Sequence, residues 1–291
     1  MKIEILKPSG YCSGVSNAIN IALGCKKNSP NKKVVILGML VHNEQTLIYL
    51  KNKGIETLYD ENKSLLDLID LLNGDEVVIL TAHGHSKEIE DKLNKRNISF
   101  VDATCPFVKN TISLIKNLID ENKQIIFVGK RNHPEANAIL SISQKIFLYV
   151  INKQNDLSNF KNKKVIIISQ STFSELEIKN EIEKINNNCK ESTYLGGICN
   201  SSSLRQNALI NLKDKIDLIY IVGSKKSNNT NTLYLIAKKH HPNAKVLFIE
   251  NLDDVKNIDL ENVTNIAISS GASTPQTLID EIEEKIKKLT N

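Results

Sequence analysis

Asp102-Ala103-Thr104-Cys105-Pro106-Phe107-Val108, near the middle of the chain, decides how the rest is read. An apolar strand candidate precedes it and an amphipathic helix follows, so its cysteine stands on the turn between them. Cys12 in Ser9-Gly10-Tyr11-Cys12-Ser13-Gly14-Val15 and Cys199 in Gly196-Gly197-Ile198-Cys199-Asn200 have similar settings. The intervals are 93 residues from Cys12 to Cys105 and 94 from Cys105 to Cys199. Three thiols at nearly equal long intervals suggest three similar units, each giving one ligand to a shared centre. Cysteine is also a common core residue, but core cysteines need no such rhythm.

Working outward, the same grammar repeats. Before Cys12 lies a short strand at Ile3–Leu6, and after it a helix from about Gly14 to Lys27 with Val15, Ile19 and Leu23 at helical spacing. Strands follow at Lys33–Leu37, Ile55–Leu58 and Glu76–Leu80, with helices near Glu44, at Leu65–Leu71 and at Lys87–Asn94. The second unit has strands at Ser99–Val101, Gln124–Val128, Ile146–Val150 and Lys164–Ile168, with a helix at Val108–Glu121 and another ending near Ile185. The third is read as starting at Tyr194–Cys199. A helix at Ser202–Leu212 follows, then strands at Leu218–Val222, Lys245–Phe248 and Asn265–Ser269 and a closing helix. Strands that feed helices argue for parallel α/β layers. The polar loops follow strand C-termini, where open α/β sheets bind ligands.

The 291 residues suffice for a substantial core in two or three domains. With 41% hydrophobic and 24% charged residues the composition is that of a soluble globular protein. The net charge of +5 is modest, and no focused basic surface or reading motif points to nucleic acid. Seven Phe, seven Tyr and no Trp offer little material for base stacking. The segment Met1–Pro8 is too short and too charged for a signal peptide, and no stretch approaches the roughly 20 apolar residues of a membrane span. A cytoplasmic protein is expected, where structural disulfides are disfavoured. Cys25 and Cys189 sit in polar surroundings without a motif and are read as bystanders.

His42, His83, His85 and His133 occupy loops after strands, whereas His240 and His241 end a helix. Singly, the Ser, Asn and Gly turns are ordinary helix caps. Together with the histidines and helix N-termini they can supply many neutral donors to a phosphate or diphosphate. The chain has no GxxxxGK[ST], no GxGxxG, no HExxH and no nucleophile elbow. A structural zinc site of three cysteines and one histidine is one option. The other is a [4Fe–4S] cubane held by three thiolates, whose open iron binds a substrate and passes it electrons.

The ordered motifs extend over essentially the whole chain: Gly10-Tyr11-Cys12-Ser13-Gly14-Val15, Val41-His42-Asn43, Ala82-His83-Gly84, Ala103-Thr104-Cys105-Pro106, His133-Pro134-Glu135, Gln170-Ser171-Thr172, Ile198-Cys199, Gly223-Ser224-Lys225, Ser227-Asn228-Asn229 and Gly271-Ala272-Ser273. In this set the sequence resembles the 4-hydroxy-3-methylbut-2-enyl diphosphate reductase family, iron–sulfur enzymes of the methylerythritol phosphate route of isoprenoid biosynthesis. The resemblance implies an α/β fold of three similar domains in a pseudo-threefold arrangement around a central cluster. These would be residues 13–104, 105–197, and 1–12 plus 198–291. It implies that Cys12, Cys105 and Cys199 ligate one [4Fe–4S] cluster with an open fourth iron site. His42, His83, His133, Ser171, Ser227, Asn228, Asn229 and Ser273 would bind the substrate. Glu135, His133 and Ser171 would form the catalytic group, with Glu135 giving the proton that expels the hydroxyl as water. Isopentenyl and dimethylallyl diphosphates would be the products. A ferredoxin or flavodoxin would donate the electrons, since no flavin or nicotinamide module is recognisable, and a monomer is expected.

Some positions depart from the family pattern. Ser171 stands where threonine is usual, Asn228 replaces the second serine of Ser-Ser-Asn, and Asn-Ser-Ser-Ser-Leu follows Cys199 in place of Tyr/Ala-Thr-Thr-Asn. His85 is a further unusual choice. The rival expectation is a same-fold [4Fe–4S] enzyme performing dehydration or sulfur chemistry on another small anionic substrate. A non-enzymatic cluster-bearing sensor would need neither the acid nor the cradle.

Overall fold

A computed structural model of the chain describes residues 1–212, 215–260 and 262–290. Its strands are β1 (Lys2–Ile5), β2 (Val34–Leu37), β3 (Ile55–Leu58), β4 (Val77–Leu80), β5 (Ser99–Asp102), β6 (Gln124–Gly129), β7 (Ile146–Val150), β8 (Lys164–Ser169), β9 (Glu191–Tyr194), β10 (Leu218–Val222), β11 (Lys245–Ile249) and β12 (Asn265–Ser270). They form three four-stranded sheets in the orders β3-β2-β4-β5, β7-β6-β8-β9 and β11-β10-β12-β1, and every pairing is parallel. The order is the same each time: the first and third strands are central and the second and fourth are edges. In the third sheet the chain's own first strand takes the fourth place. Each sheet therefore falls within one of the segments 13–104, 105–197, and 1–12 plus 198–291.

Burial explains which strands were easy to read. β2 and β4 are buried at every residue, as is β10, and all three are continuous apolar runs. A parallel strand covered on both faces needs that composition. The fourth strands are half exposed, and β5 and β9 alternate between exposed and partly buried residues.

The helices are α1 (Ser13–Asn28), α2 (Glu44–Asn52), α3 (Leu65–Asp70), α4 (Lys87–Lys95), α5 (Pro106–Asp120), α6 (Pro134–Leu140), α7 (Glu175–Asn186), α8 (Asn200–Ile210), α9 (Asn228–His240) and α10 (Gln276–Thr290). α5 buries Val108, Thr111, Ile115 and Leu118, a stripe at helical spacing, and Ile115 and Leu118 share a core with Ile125 and Phe127 of β6. α10 does the same with Leu278, Ile279, Ile282 and Ile286 against Tyr220, Val222, Ile266 and Ile268. Each such side chain contributes about 1.5–3 kcal/mol by leaving water.

By compactness the chain divides into two units. The first comprises Met1–Ser16, His42–Tyr49 and Cys199–Asn291 and contains the β11-β10-β12-β1 sheet; the second comprises Asn17–Val41 and Leu50–Ile198 and contains the other two.

The expected start of the third unit at Tyr194–Cys199 is corrected. Glu191-Ser192-Thr193-Tyr194 is β9, the last strand of the preceding sheet, and residues 195–199 are connection. The following helix starts at Asn200 rather than Ser202, because Cys199 caps it. Cys25 is buried on α1 and Cys189 packs against the core of the second sheet, so neither has the polar surroundings that the sequence suggests. Burial raises the pKa of both thiols.

Gly197 closes the connection after β9 at φ +137°, and a Cβ there would lie 2.0 Å from Ser169 O and 2.6 Å from Ser169 N. Gly24, inside α1, has no atom within 4 Å of such a Cβ. Gly197→Ala is therefore expected to lower the thermal midpoint by the equivalent of more than about 1 kcal/mol, through clash and left-handed strain. Gly24→Ala should raise it by up to about 1 kcal/mol through helix propensity. Differential scanning calorimetry of the two variants checks both signs.

Candidate active site

In parallel sheets of this order, ligands bind outside the carboxyl ends of the two central strands. The loops after β2, β4, β6, β8, β10 and β12 are those loops. They carry His42, then His83, then His133 and Glu135, then Ser171, then Ser227, Asn228 and Asn229, and last Ser273. The cysteines follow the fourth strands instead: Cys12 after β1, Cys105 after β5 and Cys199 after β9.

All three cysteines stand where a helix begins. In the first unit, Cys12 Sγ accepts from Val15 N at 3.4 Å in the first turn of α1, and Cys12 N donates to Ala272 O at 2.9 Å. Cys199 is the N-cap of α8, and its Sγ accepts from Ser202 N at 3.4 Å and lies 3.1 Å from Ser202 Oγ. In the second unit, Cys105 is the N-cap of α5, with Pro106 in the first helical position, and its amide donates to Ala82 O at 2.9 Å. A helix N-terminus presents unpaired amide donors and the positive end of the dipole, which suits an anionic ligand.

The first unit also gathers a cradle of neutral donors. Ser227 caps α9, its Oγ accepting from Thr230 N at 3.3 Å. Asn228 and Asn229 form the first turn, and all three are buried. Asn229 Oδ1 accepts from Ala272 N at 2.9 Å while its Nδ2 donates to Ser202 Oγ at 3.1 Å. Ser273 Oγ donates to His42 O at 3.4 Å, and Thr46 Oγ1 donates to Ser273 O at the same distance. Burial, assisted by the Lys226 charge, lowers the pKa of His42, so its ring is neutral near pH 7 and offers one N–H.

Arg205 on α8 is 1% exposed. Its Nη1 donates to Pro8 O at 2.8 Å and Ser270 O at 3.1 Å, and its Nη2 to Gly10 O at 2.7 Å; its Nε has no partner. None of these acceptors is a carboxylate. Burial lowers the pKa of this guanidinium, and the charges of Cys12 and Cys199 oppose that effect. A buried cation without a carboxylate calls for other negative charge nearby, and Cys12 and Cys199 are the groups in electrostatic range.

The second unit holds a buried acid. Glu135, 2% exposed in the first turn of α6, accepts Ser171 N at 2.9 Å on Oε1 and Ser171 Oγ at 2.6 Å on Oε2. Burial raises its pKa from 4.5 to about 7, the two Ser171 bonds holding it back from a larger rise. His133 caps the same helix, its Nδ1 accepting Glu135 N at 3.2 Å, so the neutral ring carries its proton on Nε2. The His83 and His133 rings meet edge to face with centroids 5.8 Å apart. His85 points elsewhere: its Nε2 lies 2.8 Å from Glu90 Oε1 and its Nδ1 3.9 Å from Asp102 Oδ1.

Thus the second unit joins Glu135, Ser171, His133 and His83, and contains Cys105. The first joins His42 with Ser273, and Asn229 with the Cys199 end of α8. Neither unit alone assembles three His, Cys, Asp or Glu side chains as a metal site among the described residues. The donor chemistry of the first unit nevertheless suits an iron–sulfur centre: two thiols at helix starts, neither in a disulfide, with a buried guanidinium in electrostatic range of both, and Cys105 of the second unit is a free thiol at a helix start of its own. Sequence reading missed Arg205 and Ser202. Arg205 is one of three arginines among 38 basic residues, a bias that marks a position where lysine does not serve.

The family described as LytB protein matches residues 3–287. A 4-hydroxy-3-methylbut-2-enyl diphosphate reductase of Malacoplasma penetrans (strain HF-2) is 34% identical over 286 residues, covering 96% of this chain and 94% of that protein. One from Clostridium tetani (strain Massachusetts / E88) is 32% identical over 291 residues, and the chain spans all of its own length but 44% of that longer protein. The solved structure of the E-1-hydroxy-2-methyl-but-2-enyl-4-diphosphate reductase from Plasmodium falciparum superposes with a TM-score of 0.83 at 27% identity, over 99% of this chain and 88% of that one.

The Glu135 carboxyl gives a signed test. Between pH 4.5 and about 7 the folded chain binds a proton that the unfolded chain has lost, so this group favours folding at low pH. That contribution is lost as pH rises through the folded value. Relative to Glu135→Gln, which lacks the group, the denaturant midpoint of the wild type should fall across that window. A constant difference between the two proteins contradicts the buried-acid assignment.

Proposed function

The chain belongs to the LytB family, and from that premise we propose that it reduces (E)-4-hydroxy-3-methylbut-2-enyl diphosphate. Two electrons and two protons are consumed, the hydroxyl leaves as water, and isopentenyl or dimethylallyl diphosphate is formed. The observation that supports this most is the Glu135 carboxyl, buried, tuned to about 7 and aligned by Ser171. A protein that merely binds an anion has no use for an acid poised near neutrality. Loss of a hydroxyl as water needs a proton delivered at one oxygen, and an acid with this pKa keeps about half its population protonated at neutral pH, where an ordinary carboxyl keeps almost none.

The other residues follow from their chemistry. His133 fixes the helix start that carries Glu135 and keeps a donor on Nε2 for the substrate. Ser171, through its amide and hydroxyl, holds the carboxyl in one orientation and stabilises its anion after proton release. His42, His83, Ser227, Asn228, Asn229 and Ser273 hold the diphosphate with neutral donors and helix N-termini. Cys12, Cys105 and Cys199 would hold a [4Fe–4S] cluster, whose open fourth iron supplies a Lewis acid for the substrate and single-electron transfer. A ferredoxin or flavodoxin donates the electrons. On this reading residues 13–104, 105–197, and 1–12 plus 198–291 are the family's three α/β domains. The absence of disulfides among five cysteines suits a reducing cytoplasm, and one chain carries every ligand, so a monomer suffices.

The experiment is anaerobic reconstitution followed by incubation with the substrate and dithionite-reduced viologen. Both five-carbon diphosphates should form. Replacement of Cys12, Cys105 or Cys199 by serine should cut bound iron, and replacement of Cys25 or Cys189 should leave it near wild type. Protein with a full cluster that makes neither product overturns the assignment in favour of another anionic substrate.

A further inference from the structure

Ser202 is 1% exposed, and its hydroxyl sits between two groups, 3.1 Å from Asn229 Nδ2 and 3.1 Å from Cys199 Sγ. The Asn229 amide nitrogen carries only donor hydrogens, so Ser202 Oγ accepts from it. The single hydroxyl proton is then directed at the sulfur. Ser202 N–H donates to the same sulfur at 3.4 Å. Asn229 cannot turn over without loss, because its Oδ1 is held by Ala272 N at 2.9 Å, and Ala272 O in turn accepts from Cys12 N at 2.9 Å. The bonds thus run from the Cys12 loop through Ala272 and Asn229 to Ser202 and end on Cys199 Sγ, all inside the first unit.

A helix cap alone does not require this arrangement. The Ser202 N–H already satisfies the capping role of Cys199, and the hydroxyl adds a second proton on the sulfur. Hydrogen bonds to a sulfur ligand draw electron density from it and favour the reduced state of the iron–sulfur centre it serves. We infer that Ser202, oriented by Asn229, sets the electron affinity of the centre that Cys199 helps to hold. Ser202 is a positioning residue: it acts through the Cys199 sulfur and does not meet the substrate. The relay also joins that sulfur to Asn229, a residue of the anion cradle. Diphosphate bound at Asn229 therefore affects the same hydrogen bond, and by linkage the redox state affects diphosphate affinity. This inference rests on the proposed cluster.

The test uses the full chain, reconstituted anaerobically, with iron and sulfide quantified before an EPR-monitored potentiometric titration. Ser202→Ala should hold a full cluster with a midpoint clearly more negative than wild type. Ser202→Thr, which keeps the hydroxyl, should stay close to wild type. Resonance Raman spectra in H2O and D2O give a second readout on the unmutated protein: its iron–sulfur(cysteine) modes should shift on exchange, and shift less in Ser202→Ala. A full cluster in Ser202→Ala with the wild-type midpoint overturns the inference. So does a folded Ser202→Ala protein that no longer retains iron, since Ser202 would then serve assembly rather than tuning. Wild-type protein that takes up no cluster at all overturns the functional reading itself.

Discussion

Parallel strand pairing is the constraint on which the rest depends. A parallel strand cannot turn back through a tight hairpin, so the chain returns by a crossover, here mostly a helix. Each loop at a carboxyl edge that leads into a helix ends at a fresh N-terminus with amide donors to spare. Cys105, His133, Cys199 and Ser227 are all N-caps of such helices, and Cys12 accepts from the first turn of another. The chemistry-bearing residues are therefore part of what ends the loops and starts the helices. Their electrostatic setting, short of formal charge but rich in donors, comes with the fold.

Three polar groups are more deeply buried than stability alone favours. Among the described residues Arg205 donates to the neutral carbonyls of Pro8, Ser270 and Gly10, and its Nε is unpartnered. Glu135 holds a carboxyl that accepts from the Ser171 amide and hydroxyl, and Ser202 is closed between a sulfur and an amide. Each unpaired or poorly compensated buried polar group costs about 1–3 kcal/mol. The apolar central strands and helix stripes offset that cost, and on the proposed function the groups serve charge: thiolate ligands beside Arg205, a leaving hydroxyl beside Glu135. Such costs concentrate at functional sites, where local rules of burial are broken for chemistry.

Much of this was legible in the residues, for identifiable reasons. The cysteine rhythm reflects the fourth-strand position repeated in three sheets, and the central strands announce themselves as apolar runs such as Val77-Val78-Ile79-Leu80. Pro106 and Pro134 mark the first helical positions, where their lack of an N–H costs nothing. β9 was not legible because Glu191-Ser192-Thr193-Tyr194 is a half-exposed edge that needs no hydrophobic run. Its misassignment moved the third unit's start into the connection that Gly197 closes against Ser169. Arg205 and Ser202 escaped notice because their roles arise from partners distant in sequence, Pro8 and Gly10 for one and Asn229 for the other. Local pattern carries no trace of such long-range pairing.

We propose that a positioned carboxylic acid, not only an electron source, drives loss of the hydroxyl. Turnover of Glu135→Gln with reduced viologen as donor tests it most directly, once iron content and substrate affinity are matched to wild type. The amide keeps the size and much of the hydrogen bonding of Glu135 but cannot give up a proton. If the acid drives the step, the variant keeps an intact cluster and near-normal binding while turnover falls about 100-fold or more. Near-wild-type turnover by Glu135→Gln would contradict it.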